Sequence, residues 1–121
     1  MASTSGLITP GFLSESTNGR QIKVAATATP GTLVHTAVSG TADFDYITLE
    51  AVNTSTSVVT LTIEWGGTTS PDDHVVISLS PQRGRQVVID RCMLNNGLAV
   101  RCYSSSANDV NIYGEVRTVT L

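Results

Sequence analysis

The sequence predicts an all-β domain, a sandwich of antiparallel strands, on three observations. Val58 to Leu79 (VVTLTIEWGGTTSPDDHVVISL) alternates apolar and polar side chains on both sides of a glycine-led turn, the pattern of strands with one buried face. Clusters of Gly, Pro, Asn, Asp and Ser punctuate the chain at roughly 8–14-residue intervals, the spacing of short strands in a sandwich or barrel. No window combines apolar spacings of three and four with helix caps. Eight strands fit a jelly roll of two four-stranded sheets, with an immunoglobulin-like sandwich as the alternative.

Residues 1–20 precede the first strand and are rich in Ser, Thr and Gly. Leu7, Ile8, Phe12 and Leu13 surround the turn-forming pair Pro10-Gly11. A frayed terminus has little reason to carry four large apolar residues so close together. They are expected to form an extended arm that docks on a neighbouring chain, beside a single β-sandwich domain over residues 21–121. Removing residues 1–19 is then expected to leave that domain folded.

Gln21 to Thr29 reads as the first strand, followed by the turn Pro30-Gly31. Thr32 to Val38 is the second and Asp43 to Val52 the third. In the third, alternation on Phe44 and Tyr46 changes phase to Ile47, Leu49 and Ala51, which predicts a bulge near Tyr46-Ile47. The fourth and fifth strands form the Val58–Leu79 hairpin, with Val59, Leu61, Ile63 and Trp65 on one face and Trp65 as a core anchor. Gln86 to Asp90 is the sixth. Asn95-Asn96-Gly97 is the strongest short turn in the chain, because Asn and Gly accept positive φ at low cost. It reads as a hairpin into the seventh strand, Leu98 to Tyr103. Val110 to Val119 is the eighth, with Gly114 marking a bulge or a close backbone approach.

At 121 residues the chain suits one domain with its own core. Charged residues make up only 14%, against about 25% in typical soluble domains. Ser and Thr fill about a quarter of the chain, favouring loops and strands respectively. The net charge is −3 and there is no Lys/Arg cluster, which argues against direct binding of nucleic acid. No apolar run is long enough to span a bilayer. The N-terminus lacks the basic and apolar regions of a secretory signal, so a cytoplasmic product is expected.

Candidate chemistry is sparse. His74 follows Asp72-Asp73, with Glu64 across the hairpin, a set that offers oxygens to a hard cation. Pro71-Asp72-Asp73 reads instead as ordinary turn chemistry, and no metal or cofactor is expected. Cys92 and Cys102 flank the Asn-Asn-Gly turn almost symmetrically, so a hairpin there would set them opposite each other within disulfide reach. A cytoplasmic product keeps thiols reduced, and Cys102 falls where a small core residue belongs. No serine lies in a nucleophile elbow, no acid/base carboxylate pair stands out, and no enzyme activity is expected. Arg101 is expected to face Glu115 across a last hairpin as a surface pair.

Five segments carry a resemblance: GTLVHTA (Gly31 to Ala37), Asn53-Thr54-Ser55, VTLTIEWGGTTSPDD (Val59 to Asp73), LNNGLAVRCY (Leu94 to Tyr103) and NDVNIYGEV (Asn108 to Val116). In this order they resemble small structural proteins of tailed bacteriophages, of the capsid cement or decoration type. The likeness spans residues 30–117. It implies a β-rich virion protein on the capsid exterior, assembled in the host cytoplasm as a homotrimer, that bridges subunits of the major capsid protein against internal DNA pressure. Contacts are expected from Leu7, Ile8, Phe12 and Leu13 and from the hairpin loop at Thr68, Thr69 and Asp72. The alternatives are a carbohydrate-binding sandwich of a fibre or receptor-binding protein, with Tyr46, Tyr103 and Tyr113 as the available stackers, and a tail or head–tail junction protein.

Overall fold

The computed structural model describes residues 7–121, and among these it contains nine strands and no helix. They are β1 (Leu7–Phe12), β2 (Ile22–Val24), β3 (Thr32–Thr36), β4 (Phe44–Asn53), β5 (Val59–Trp65), β6 (His74–Leu79), β7 (Gln86–Leu94), β8 (Ala99–Ser104) and β9 (Val110–Thr120). One sheet has the order β1-β9-β4-β7, with β2 also paired to β9; the other has the order β3-β8-β5-β6. All pairings are antiparallel. β1 lies along Thr120 to Glu115 and β2 along Ile112 to Val110, so together they form one interrupted edge. Counted as one strand, they give two four-stranded sheets with the chain's first and last strands adjacent. That is jelly-roll order. An immunoglobulin-like sandwich would instead place the first strand beside the second.

All eight expected strands are present, and β1 adds a ninth. β2 stops at Val24 because the N–H groups of Ala25 and Ala26 both donate to Thr32 Oγ1, which bends the chain out of the sheet. The hairpin is a true one: β5 and β6 pair from Val59 with Leu79 to Glu64 with His74. Val59, Leu61, Ile63 and Leu79 are buried and Trp65 packs against them. The core lies between the sheets and joins these residues to Ile47, Leu49, Ile112 and Val116.

Three expectations fail. First, β4 does not change phase. Asp45, Ile47, Leu49, Ala51 and Asn53 are buried and the residues between them are half-buried, and the pairing with β9 runs unbroken from Phe44 to Asn53. Asp45 occupies a core-facing position, so Phe44 and Tyr46 face outward, where their rings meet edge to face at 5.3 Å. The irregularities are on β7 instead, between the pairs Ile47–Cys92 and Leu49–Ile89 and again between Leu49–Ile89 and Glu50–Val87. Second, Asn95-Asn96-Gly97 carries the chain from one sheet to the other. Asn96 and Gly97 do have positive φ, 60° and 66°, but β7 and β8 belong to different sheets. Third, β8 and β9 are likewise in different sheets. Arg101 therefore donates to the Gly31 carbonyl, at 3.2 Å, and Glu115 lies 3.7 Å from Arg117.

Gly114 marks a close approach. A β-carbon there would lie 2.7 Å from the Thr48 carbonyl oxygen and 2.9 Å from the Leu13 side chain. The missing side chain is what admits Leu13 to the core.

Candidate functional site

β1 sits at a sheet edge with every residue exposed. Directly paired residues share a face, so Ile8, Pro10 and Phe12 lie on the outer face with Val119, Arg117 and Glu115 of β9. The next column on that face is Phe44, Tyr46 and Thr48 of β4. Leu7, Ile8 and Phe12 are 53%, 54% and 57% exposed, an unusual concentration of large apolar side chains on one strand. Leu13 breaks from this set. It is only 2% exposed, buried within its own chain, and is not a docking residue.

Beside β1, the outer face is hollowed. Asp90 and Arg91 of β7 together oppose Thr48, a two-against-one bulge. Arg91 has a left-handed φ of 50°, and its N–H donates to Thr48 Oγ1 at 3.2 Å. The result is a broad concavity of about 790 Å³ lined by Tyr46, Thr48, Asp90, Arg91, Glu115 and Arg117, with Ile8 at its β1 side. Arg91 lies 3.7 Å from Asp90 and Arg117 3.7 Å from Glu115, with all four side chains more than half exposed. Such exposed pairs hold together weakly, so their polar atoms remain available to a ligand.

The three tyrosines differ in availability. Tyr113 has the Arg85 guanidinium 4.2 Å above its ring. Tyr103 meets His74 edge to face at 5.9 Å. Tyr46 meets Phe44 edge to face at 5.3 Å and lines the concavity.

At the β5–β6 turn, Thr68, Thr69 and Asp72 are exposed. Asp73 shapes the turn: its Oδ2 accepts from the Thr69 N–H at 3.0 Å, and its carbonyl accepts from the Trp65 N–H at 2.8 Å. The expected contact residues thus fall in two places on different sheets, Leu7, Ile8 and Phe12 on β1 and Thr68, Thr69 and Asp72 at the turn.

Two buried polar centres complete the inventory. Glu64 is fully buried although its strand alternation puts it on the outer face. Its Oε1 accepts from the Gly31 N–H at 2.6 Å and its Oε2 from the Thr29 hydroxyl at 2.5 Å. His74 Nε2 lies 3.5 Å from the same Oε2 without a hydrogen-bond partner. These bonds commit the carboxylate to holding residues 29–31. Behind it, burial first and the charge of Glu64 second push the Cys102 thiol up to about 12.

The other centre joins His35 to Asp45. His35 Nδ1 accepts from the Ser14 N–H at 2.9 Å, so its Nε2 carries the proton donated to Asp45 Oδ2, also at 2.9 Å. Asp45 further accepts from the Val38 N–H and the Thr118 hydroxyl. Ser14 Oγ accepts from the Thr36 N–H. Serine, histidine and aspartate meet here, yet the serine hydroxyl does not face the imidazole, and both ring nitrogens are engaged. The arrangement staples the segment after β1 to both sheets. Alternation around Asp45 contained its signal, a polar residue at a core-facing position.

Cys92 is exposed on β7, Cys102 is buried on β8, and both are free. The disulfide that a hairpin there would have allowed does not form, because β7 and β8 lie in different sheets.

Comparison with known protein families, with curated proteins and with solved structures finds no match.

Proposed function

We propose that the chain is a capsid cement protein of a tailed bacteriophage, bound to the capsid exterior as a homotrimer that bridges neighbouring subunits of the major capsid protein. The observation that carries this reading is β1, an edge strand exposing Leu7, Ile8 and Phe12 within six residues. Clustered apolar surface of this kind serves contact with another protein. Pro10 within the strand removes a backbone donor, which discourages uncontrolled edge-to-edge pairing and favours contact through side chains. The segments that resemble phage decoration proteins are what support the major capsid protein as the partner. Each contact is modest, and symmetric placement of three copies multiplies the modest contacts into firm attachment. The exposed turn residues Thr68, Thr69 and Asp72 supply a second point of contact.

The test is reattachment to capsids that lack the protein. The full chain is expected to bind at saturable occupancy and to raise the temperature at which capsids release DNA. Ile8→Ser with Phe12→Ser is expected to lower occupancy at least tenfold while the domain stays folded. Unchanged occupancy and capsid stability with the double variant would sink the proposal. Cryo-electron microscopy of decorated particles reads position and symmetry directly.

A further inference from the structure

We propose that the concavity on the outer face of the β1-β9-β4-β7 sheet binds neutral carbohydrate, a function additional to capsid attachment, with Ile8 at the border between the two surfaces. Three features point there. The hollow is a product of the β7 bulge, which puts two consecutive charged residues, Asp90 and Arg91, against Thr48 where a regular strand would place one residue. Bulges of this sort re-aim side chains at functional sites. The left-handed conformation of Arg91 is costly for a residue with a side chain, and the bond from its N–H to Thr48 Oγ1 holds it.

Tyr46 is the second feature. Sugar recognition uses an aromatic ring beside polar groups, and of the three tyrosines this is the one that lines the concavity. Its ring packs edge to face on Phe44 as that of Tyr103 packs on His74, and the Arg85 guanidinium covers Tyr113, so position in the hollow is what singles Tyr46 out.

The charge balance is the third. Two arginines and two carboxylates line the hollow, so it is neutral overall yet dense in both donors and acceptors. Hydroxyl groups donate and accept at once and suit such a lining. A phosphate or a uronate would meet Asp90 and Glu115, and a cationic ligand would meet Arg91 and Arg117. The volume of about 790 Å³ is within the range of small-ligand sites.

The experiment is a glycan array carrying neutral and acidic oligosaccharides, probed with the full chain, followed by saturation-transfer NMR with the strongest neutral glycan. Binding to neutral hexose-containing glycans is expected, lowered at least tenfold by Tyr46→Ala and by Asp90→Asn, and unchanged by Tyr113→Ala. Asp90 is exposed, with 72% of its side-chain surface accessible, so its variant tests the site even if Tyr46→Ala weakens the fold. Silence on the neutral glycans, binding to acidic glycans alone, or neutral binding that survives both substitutions overturns the proposal. Capsid reattachment separates the two functions: both variants are expected to decorate capsids as the parent does. Loss of decoration together with a silent array would assign the hollow to the capsid interface and also overturn the proposal. Failure of the parent chain to decorate capsids leaves the glycan result standing.

Discussion

Glu64 shows what one residue contributes when distant parts of the chain meet on it. Its carboxylate receives the Gly31 N–H and the Thr29 hydroxyl, both more than thirty positions away in sequence. Glu64→Ala leaves the Gly31 N–H without an acceptor and is expected to cost about 3 kcal/mol, read from urea denaturation. Glu64→Gln keeps an acceptor and is expected to cost less; equal losses would show that the bonds to residues 29–31 contribute little. The sequence places Glu64 on the outer face correctly but gives no sign of its burial, because the segment that covers it is not local. Cys102 offers a second test at this scale. Its thiol rises from an ordinary 9.0 to about 12. Below pH 9 both folded and unfolded chains keep the proton. Between 9 and 12 the unfolded chain releases it while the folded chain holds it, so stability falls as pH rises, by up to about 1.4 kcal/mol per pH unit. Denaturation of the parent and of Cys102→Ala from pH 8 to pH 11 is expected to converge as pH rises. Parallel curves would contradict the assignment. Cys92, exposed, is expected to react with a thiol reagent in the native state while Cys102 does not.

At the scale of the element, β1 and the residue after it divide two roles that adjacent sequence positions do not distinguish. Leu13 fills the space left by Gly114, and Ser14 bonds to His35 and Thr36. A truncation after residue 19 therefore removes core, contrary to the expectation drawn from the sequence, whereas one after residue 12 removes exposed surface and one edge pairing. Leu13→Ala is expected to destabilise by about 2–4 kcal/mol, while Ile8→Ser is expected to change stability by less than about 0.5 kcal/mol. Thermal melts of the two variants check this, and a large loss from Ile8→Ser would mean that β1 is part of the folding unit's core. The same limit governs what was legible elsewhere. Alternation and turn residues locate strands because both are local, and the β5–β6 hairpin was readable for that reason. The Asn-Asn-Gly turn was readable as a reversal, but its backbone geometry does not say whether the flanking strands pair or part into two sheets. In β4, apolar Phe44 and Tyr46 outweighed Asp45 in the pattern, and only the partners of Asp45, at His35, Val38 and Thr118, explain why the polar residue is the one inside. The concavity was illegible altogether, since its lining comes from four strands that meet only in the sheet.

For the whole molecule, the governing fact is that β9, the last strand, pairs with β1, β2 and β4. The jelly roll closes only when the two ends of the chain meet, and almost every sheet contact spans a long stretch of sequence. Neither sheet has a private core: Ile47, Ile112 and Val116 from one pack in the same cluster as Leu61, Ile63 and Val100 from the other. Damage to one sheet should therefore be felt equally in the other. Trp65, the single tryptophan, lies on β5 in the second sheet, and Val116 lies on β9 in the first. Val116→Ala removes two buried methyl groups and is expected to cost about 1–3 kcal/mol. In the variant as in the parent, Trp65 fluorescence and far-ultraviolet circular dichroism are expected to report one denaturant midpoint, lowered equally for both probes. A fluorescence midpoint that stays in place while the dichroism midpoint falls would show two sheets unfolding separately. The proposed cement role would draw on that coupling: a load applied through β1 passes first to β9, and from there to β4 and to the core shared by both sheets.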